Sequence, residues 1–265
     1  MVIMAKIGRR NVFGLVAVGV LVSVAAMNAE AQKPAAKSGG PAQGTTKKGA
    51  STASAYDRAL LRPTLLKAKA PEQYQVKFVT TRGEFTLTVT RAWAPLGADR
   101  FYNLVKHHFY DHASVFRVVP SFVAQFGISP YPAVTKAWKE TDIKDDPVTE
   151  SNKKGYITFA TSGPNTRATQ VFINLKDNTY LDSRGFAPFG VVDGKGMNVV
   201  EMFYDQYGDK AGIDQDRIQV EGQAYLEKNF AKLDTIKSAT LLTDITPAAS
   251  KPPAPKTATT AKKPQ

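Results

Sequence analysis

From Tyr74 to Thr81 (YQVKFVTT) every second residue is apolar or β-branched, and from Glu84 to Arg91 (EFTLTVTR) the alternation resumes. A period of two predicts strands with one buried face, and Arg82-Gly83 between the two runs supplies the positive-φ position of a tight hairpin. The period then changes. Phe101, Leu104 and Val105 fall at helical spacing behind Pro95, which predicts a helix from Pro95 to about Lys106 lying over the sheet. Short apolar runs bounded by Gly, Pro, Asn and Asp recur at Ser114 to Val119, Ser121 to Phe126, Tyr156 to Ala160, Gln170 to Asn174 and Ala187 to Val192. Helices are expected near Met197 to Tyr204 and Gly222 to Asn229, and a closing strand near Thr235 to Leu242. Many short strands with few helices predict a mainly β fold, and specifically a barrel. No internal repeat is visible.

With 265 residues, 43% of them hydrophobic, the chain is sized for one well-filled domain. Its ends have a different character. Lys6, Arg9 and Arg10 precede an apolar run from Val12 to Met27, followed by Ala29-Glu30-Ala31. That is the pattern of a secretory signal over residues 1–31, with cleavage expected between Ala31 and Gln32 and a periplasmic or cell-envelope destination; an uncleaved amino-terminal anchor is the alternative. The chain contains no cysteine, so neither lipoprotein attachment nor a disulfide is open to it.

The formal charge of +12 points to an acidic partner until it is located. Residues 1–31 carry +2, and 32–55 and 246–265 carry +4 each from four lysines, which leaves +2 for residues 56–245. The folded domain is nearly neutral, which argues against nucleic acid as its partner. Both lysine-bearing flanks are built from Ala, Pro, Thr, Ser and Gly, a composition with too little apolar surface to offset ordering entropy, and are expected to be disordered. They read as solubilising linkers or as weakly attracted to an anionic envelope.

Most catalytic signatures fail. The chain has no G-x-G-x-x-G, no Walker loop and no G-x-S-x-G elbow. His108 and His112 have the i, i+4 spacing of a helical metal pair, but the helix should end before them, so a solvated turn is expected and no metal site. Asp145-Asp146 has no opposing carboxylate for glycoside hydrolysis. One residue does not fit a bland reading. In VFRVVPSFVAQFG, Arg117 puts a charge between valines on a strand, which is costly unless it faces a groove or a partner.

Around that arginine the sequence resembles a known family. APLGADRFYNLVKHHFYDHASVFRVVPSFVAQFG, SGPNTRATQVFINLKDN and LDSRGFAPFG occur in the order found in cyclophilins, the peptidyl-prolyl cis-trans isomerases. The resemblance covers roughly Gln75 to Val200 and is to the exported bacterial kind. It implies an eight-stranded antiparallel barrel closed by two helices, no cofactor, a monomer, and proline-containing unfolded or exported polypeptides as partners. It makes Arg117 and Gln125 catalytic, gives the walls of the proline pocket to Phe122, Phe172 and Leu181, and adds to the substrate-binding residues Val123, where the family often has methionine, and Tyr180, where it has tryptophan. It further makes Ala160, Thr161 and Ser162 the segment that pairs with substrate main chain, and Gln170 a groove residue. The family's groove histidine is missing; Phe186 or Gly185 stands in its neighbourhood, and Phe126 replaces a glycine. A domain of residues 56–245 that isomerises X-Pro bonds is therefore expected, the rival being a proline-peptide-binding chaperone or adaptor with little turnover.

Overall fold

The structure, a computed structural model, describes residues 55–209 and 212–242, all within one compact unit, Thr52–Gln265. The signal segment and its cleavage point, the linker up to residue 54 and the carboxy-terminal tail lie outside the described residues. No helix among the described residues is long and apolar enough to cross a membrane.

Alternation works as the pattern demands in β1 (Gln73–Thr80) and β2 (Gly83–Thr90), which pair in register from Gln73 opposite Thr90 to Thr80 opposite Gly83. Val76, Phe78, Leu87 and Val89 are fully buried. Gly83 opens β2 at φ +129°, outside the range a side chain tolerates easily. Helix α1 (Pro95–Lys106) starts at its proline and lays Phe101, Leu104 and Val105 on the sheet. The remaining strands are β3 (Arg117–Val119), β4 (Val123–Phe126), β5 (Tyr156–Phe159), β6 (Val171–Asn174), β7 (Pro188–Val192) and β8 (Ile236–Leu242). They form one antiparallel sheet in the order β3-β4-β6-β5-β7-β2-β1-β8.

Two expectations fail here. The sheet is open and curled, not a closed barrel: its ladders end at β3 and β8, and the chain entering these strands meets through one isolated bridge, Ser114 to Thr235. Gly208 lies beside β3, where a Cβ would be in ordinary contact, 3.6 Å, with the Val118 carbonyl oxygen. Nor are there two helices. Five α-helices and four 3-10 helices occur among the described residues, adding α2 (Pro132–Trp138), α3 (Gly196–Val200), α4 (Gln215–Glu221) and α5 (Gln223–Asn229) to α1.

The sheet buries both faces where β4 and β6 run together. Ala124, Phe126, Val171 and Ile173 point into the main core, where Phe126 meets Phe78 and Tyr110 edge-on at 5.8 and 5.6 Å. Val123 and Phe172 point the other way, into a small separate cluster with Leu181. A third cluster joins Phe116 and Ile128, which flank β3 and β4, to Ile218, Tyr225 and Leu226 of α4 and α5. Those two helices turn into one another at Gly222, with φ +64° and ψ −145°, where a Cβ would come within 2.4 Å of the Pro130 carbonyl oxygen.

Candidate functional site

The outer face of β3, β4 and β6 carries the site, and register alone brings its polar members together. Arg117 lies opposite Gln125, and Gln125 opposite Phe172. Arg117 donates from Nη1 to Gln125 Oε1 at 3.0 Å, and Gln125 donates from Nε2 to Gln170 Oε1 at 2.9 Å. The guanidinium carbon stands 5.5 Å from the Phe122 ring centroid, a distance at which a cation is attracted to the aromatic face. The charge that looked costly in sequence is thus partly exposed, held by an amide and laid on a ring.

Beside it lies a small apolar cluster, where the resemblance expects the proline slot. Val123, Phe172 and Leu181 form its buried floor, and Phe122, Ala160 and Phe186 pack around them. Phe186 meets Phe172 edge-on at 5.7 Å, so it fills space at the wall where the resemblance expects a histidine. Tyr180 is not part of the floor. It is exposed on the rim, stacked on Phe122 at 6.4 Å. Phe126 faces the core and contributes nothing to the slot.

The walls are anchored from below by amides whose role the sequence does not reveal. Asn178, fully buried, donates to the Phe122 carbonyl and to Asn174 Oδ1, and Asn174 donates to Asn152 Oδ1. Asn152 in turn donates to the Phe186 carbonyl and to Asp182 Oδ1, each at 2.8 Å. Asp182 sits in the 3-10 turn Thr179–Arg184 that delivers Leu181. Burial disfavours its charge, but hydrogen bonds from Ser151 and Asn152 outweigh this and hold the carboxyl below its ordinary value. Two of these asparagines lie in loops and Asn174 ends β6, and only the fold shows them converging.

On the other side of Gln125 opens a cavity of about 440 Å³. Gln125, Gln170, Ala160, Thr161 and Ser162 line one side; Thr135 and Trp138 of α2 and Gln215 and Gln219 of α4 line the other. The Thr161 and Thr166 hydroxyls lie 2.8 Å apart, and Thr166 Oγ1 accepts from the Ser162 N–H at 2.9 Å, which fixes the turn. Arg100, its pKa pushed down to about 10 by burial, donates to the carbonyls of Thr141 and Ala168 and ties the cavity's base to α1. Ala160 touches both slot and cavity. The walls from α2 and α4 were not expected, although Asp214 is a recognisable helix cap, accepting from the N–H groups of Asp216 and Arg217.

His108 and His112 lie past the end of α1 at φ +59° and +64°, with His108 Nδ1 3.1 Å from Asp111 Oδ2; no group of metal-ligating residues gathers among the described residues.

Comparison with known proteins identifies the family. The family described as cyclophilin type peptidyl-prolyl cis-trans isomerase matches residues 75–222. A peptidyl-prolyl cis-trans isomerase of Acinetobacter baylyi is 33% identical over 143 residues, 52% of this chain and 75% of that protein. Peptidyl-prolyl cis-trans isomerase-like 1 of Emericella nidulans is 28% identical over 131 residues, 48% of this chain and 78% of that one. A crystal structure of a Cryptosporidium parvum cyclophilin type isomerase aligns with a TM-score of 0.49 at 19% identity, covering 65% of this chain and 99% of that chain. With a family match across more than half its length and a relative one-third identical to it, the chain belongs to the cyclophilin-type peptidyl-prolyl cis-trans isomerases.

Proposed function

We propose that this isomerase accelerates X-Pro rotation in exported polypeptides as they fold, with Arg117 as its catalytic donor. Twisting a peptide bond costs about 18–20 kcal/mol because nitrogen shares its lone pair with the carbonyl, and uncatalysed X-Pro exchange takes tens to hundreds of seconds. As the bond twists, the prolyl nitrogen becomes pyramidal and can accept a hydrogen bond that the planar amide could not. A guanidinium fixed at that point binds the twisted state better than either planar one, which lowers the barrier. One such donor is worth about 3–4 kcal/mol, or two to three decades in rate.

The observation that carries this reading is the placement of the Arg117 guanidinium, bonded to Gln125 and lying over Phe122, at the lip of an apolar slot. The slot of Val123, Phe172 and Leu181 suits a proline ring and excludes water from it. Tyr180 on the rim and Phe186 on the wall narrow its mouth, while Ala160, Thr161, Ser162 and Gln170 face the chain on the other side of the ring. Such chemistry draws on no cofactor. The charge and apolarity pattern of residues 1–31 supports export, with Gln32 as the mature amino terminus and a periplasmic or envelope setting in which the lysine-bearing flanks meet anionic surfaces weakly. An isomerisation assay on a short X-Pro peptide with the purified mature chain tests the activity, and absence of acceleration overturns it. Amino-terminal sequencing of exported protein tests the rest: Met1 retained would refute cleavage.

A further inference from the structure

Arg117 has a second anchor that the sheet does not supply. Asp209, in the segment between α3 and α4, accepts from Nε at 2.5 Å and from Nη2 at 3.2 Å. A guanidinium carries five N–H groups in one rigid plane. Asp209 engages Nε–H and one hydrogen of Nη2, and Gln125 engages one of Nη1, so two stay open, one on each terminal nitrogen. The carboxylate therefore grips one edge of the plane and leaves donors on both terminal nitrogens for a substrate.

The segment bearing Asp209 is itself held in place. The Tyr204 backbone N–H donates to Asp234 Oδ2 at 2.6 Å; the rings of Tyr204 and Tyr207 meet at 4.9 Å, and Tyr207 meets Phe230 at 5.2 Å. On the far side, Phe230 packs against Tyr225, whose hydroxyl accepts from the Asp214 N–H at 3.2 Å. A crevice of about 140 Å³ between Phe116, Arg117, Asp209 and Ile213 marks where this segment meets the sheet.

We propose that Asp209 is a positioning residue for the isomerase reaction: it fixes the plane of the Arg117 guanidinium so that the open donors of Nη1 and Nη2 face the twisting bond. The inference rests on the catalytic role given to Arg117 above. Arg117 and Asp209 side chains are 26% and 56% exposed, so solvent screens the pair and its effect is several-fold, not decades.

The test is a double-mutant cycle on the full mature chain, read as kcat and KM on an X-Pro tetrapeptide together with the thermal midpoint. Asp209→Ala and Asp209→Asn should lower kcat about three- to ten-fold, with KM and midpoint nearly unchanged. Asp209→Glu should recover most of the loss by keeping the two-point grip, and in an Arg117→Ala background Asp209→Ala should do nothing more. An unchanged or raised kcat in Asp209→Ala, or a loss that persists without Arg117, overturns the proposal while leaving the isomerase reading intact. Full turnover in Arg117→Ala would overturn the role of Arg117, and this one with it.

Discussion

The apolar slot is held from beneath, by asparagines that water does not reach, whereas the arginine beside it is held from the side by a carboxylate that is 56% exposed. Asn152, Asn174 and Asn178 bond to one another and to the carbonyls of Phe122 and Phe186, so the width of the slot is fixed by the same interactions that fold the sheet. Arg117 is bonded to Gln125 and to Asp209, and of these the exposed Asp209 can be changed with little effect on the core. On the proposed reading, grip on the ring and stabilisation of the twisted bond would therefore be supported by two different kinds of physics. One is tied to the stability of the domain, and the other is adjustable at its surface.

That separation should be sharpest in Arg117→Ala. Its kcat/KM should fall by two to three decades, about 3–4 kcal/mol, while the thermal midpoint moves by no more than about 2 °C. A midpoint loss as large as that of a slot variant would erase the distinction.

Phe172→Ala should show the opposite balance. Removing a ring that is only 5% exposed costs about 3 kcal/mol of stability and widens the slot, so KM rises and the midpoint falls together. Asn152→Ala probes the support without touching the slot's lining. It leaves Asp182, Thr158 and the Phe186 carbonyl each short of a partner, and a loss of about 2 kcal/mol in denaturant unfolding is expected, with kcat/KM falling through KM. An Asn152→Ala protein of native stability would show that the amides merely fill space.

Acid gives the smallest effect. The Asp182 carboxyl is depressed below its ordinary value of 3.8, so the stability it contributes is complete above that value and is lost as pH falls through the lower, folded one. Wild type and Asp182→Asn should therefore differ in unfolding free energy at neutral pH and converge once pH has fallen below the depressed folded value. A gap that persists unchanged into strong acid would assign the difference to packing.

How far the sequence discloses this molecule depends on the range of the interactions. The hairpin of β1 and β2 and the full extent of α1 are legible because their periods are local and their punctuation, Gly83 and Pro95, is unambiguous. Ser114 to Phe116 has the same strand-like character as Arg117 to Val119, yet it leaves the ladder: Phe116 is drawn into the cluster with α4 and α5, a partner about a hundred residues away. Residues on the two faces of β4 and β6 are both apolar, so the pattern shows burial without telling core from slot; the family resemblance supplied that division. The missing barrel closure has a similar cause, since nothing local to β3 or β8 reveals that the two meet only through the single bridge from Ser114 to Thr235. Helix α4 is announced by Asp214 but offers one buried apolar residue, Ile218, too few for a period to show. Asp209 carries no sequence signal at all, because its meaning lies wholly in a side chain 92 positions earlier.

Gly222 gives the appended helices an unusual vulnerability. A methyl group at that position would need to share space with the Pro130 carbonyl oxygen and the Pro132 ring while holding a backbone angle that disfavours any side chain. Gly222→Ala is thus the smallest edit that can pry α4 and α5 from the sheet without deleting a residue, and with them the Gln215 and Gln219 wall of the cavity. For anyone redesigning this enzyme, that corner acts as a latch: a replacement for α4 and α5 would have to bring a glycine to the same place and leave Asp209, upstream of both helices, untouched.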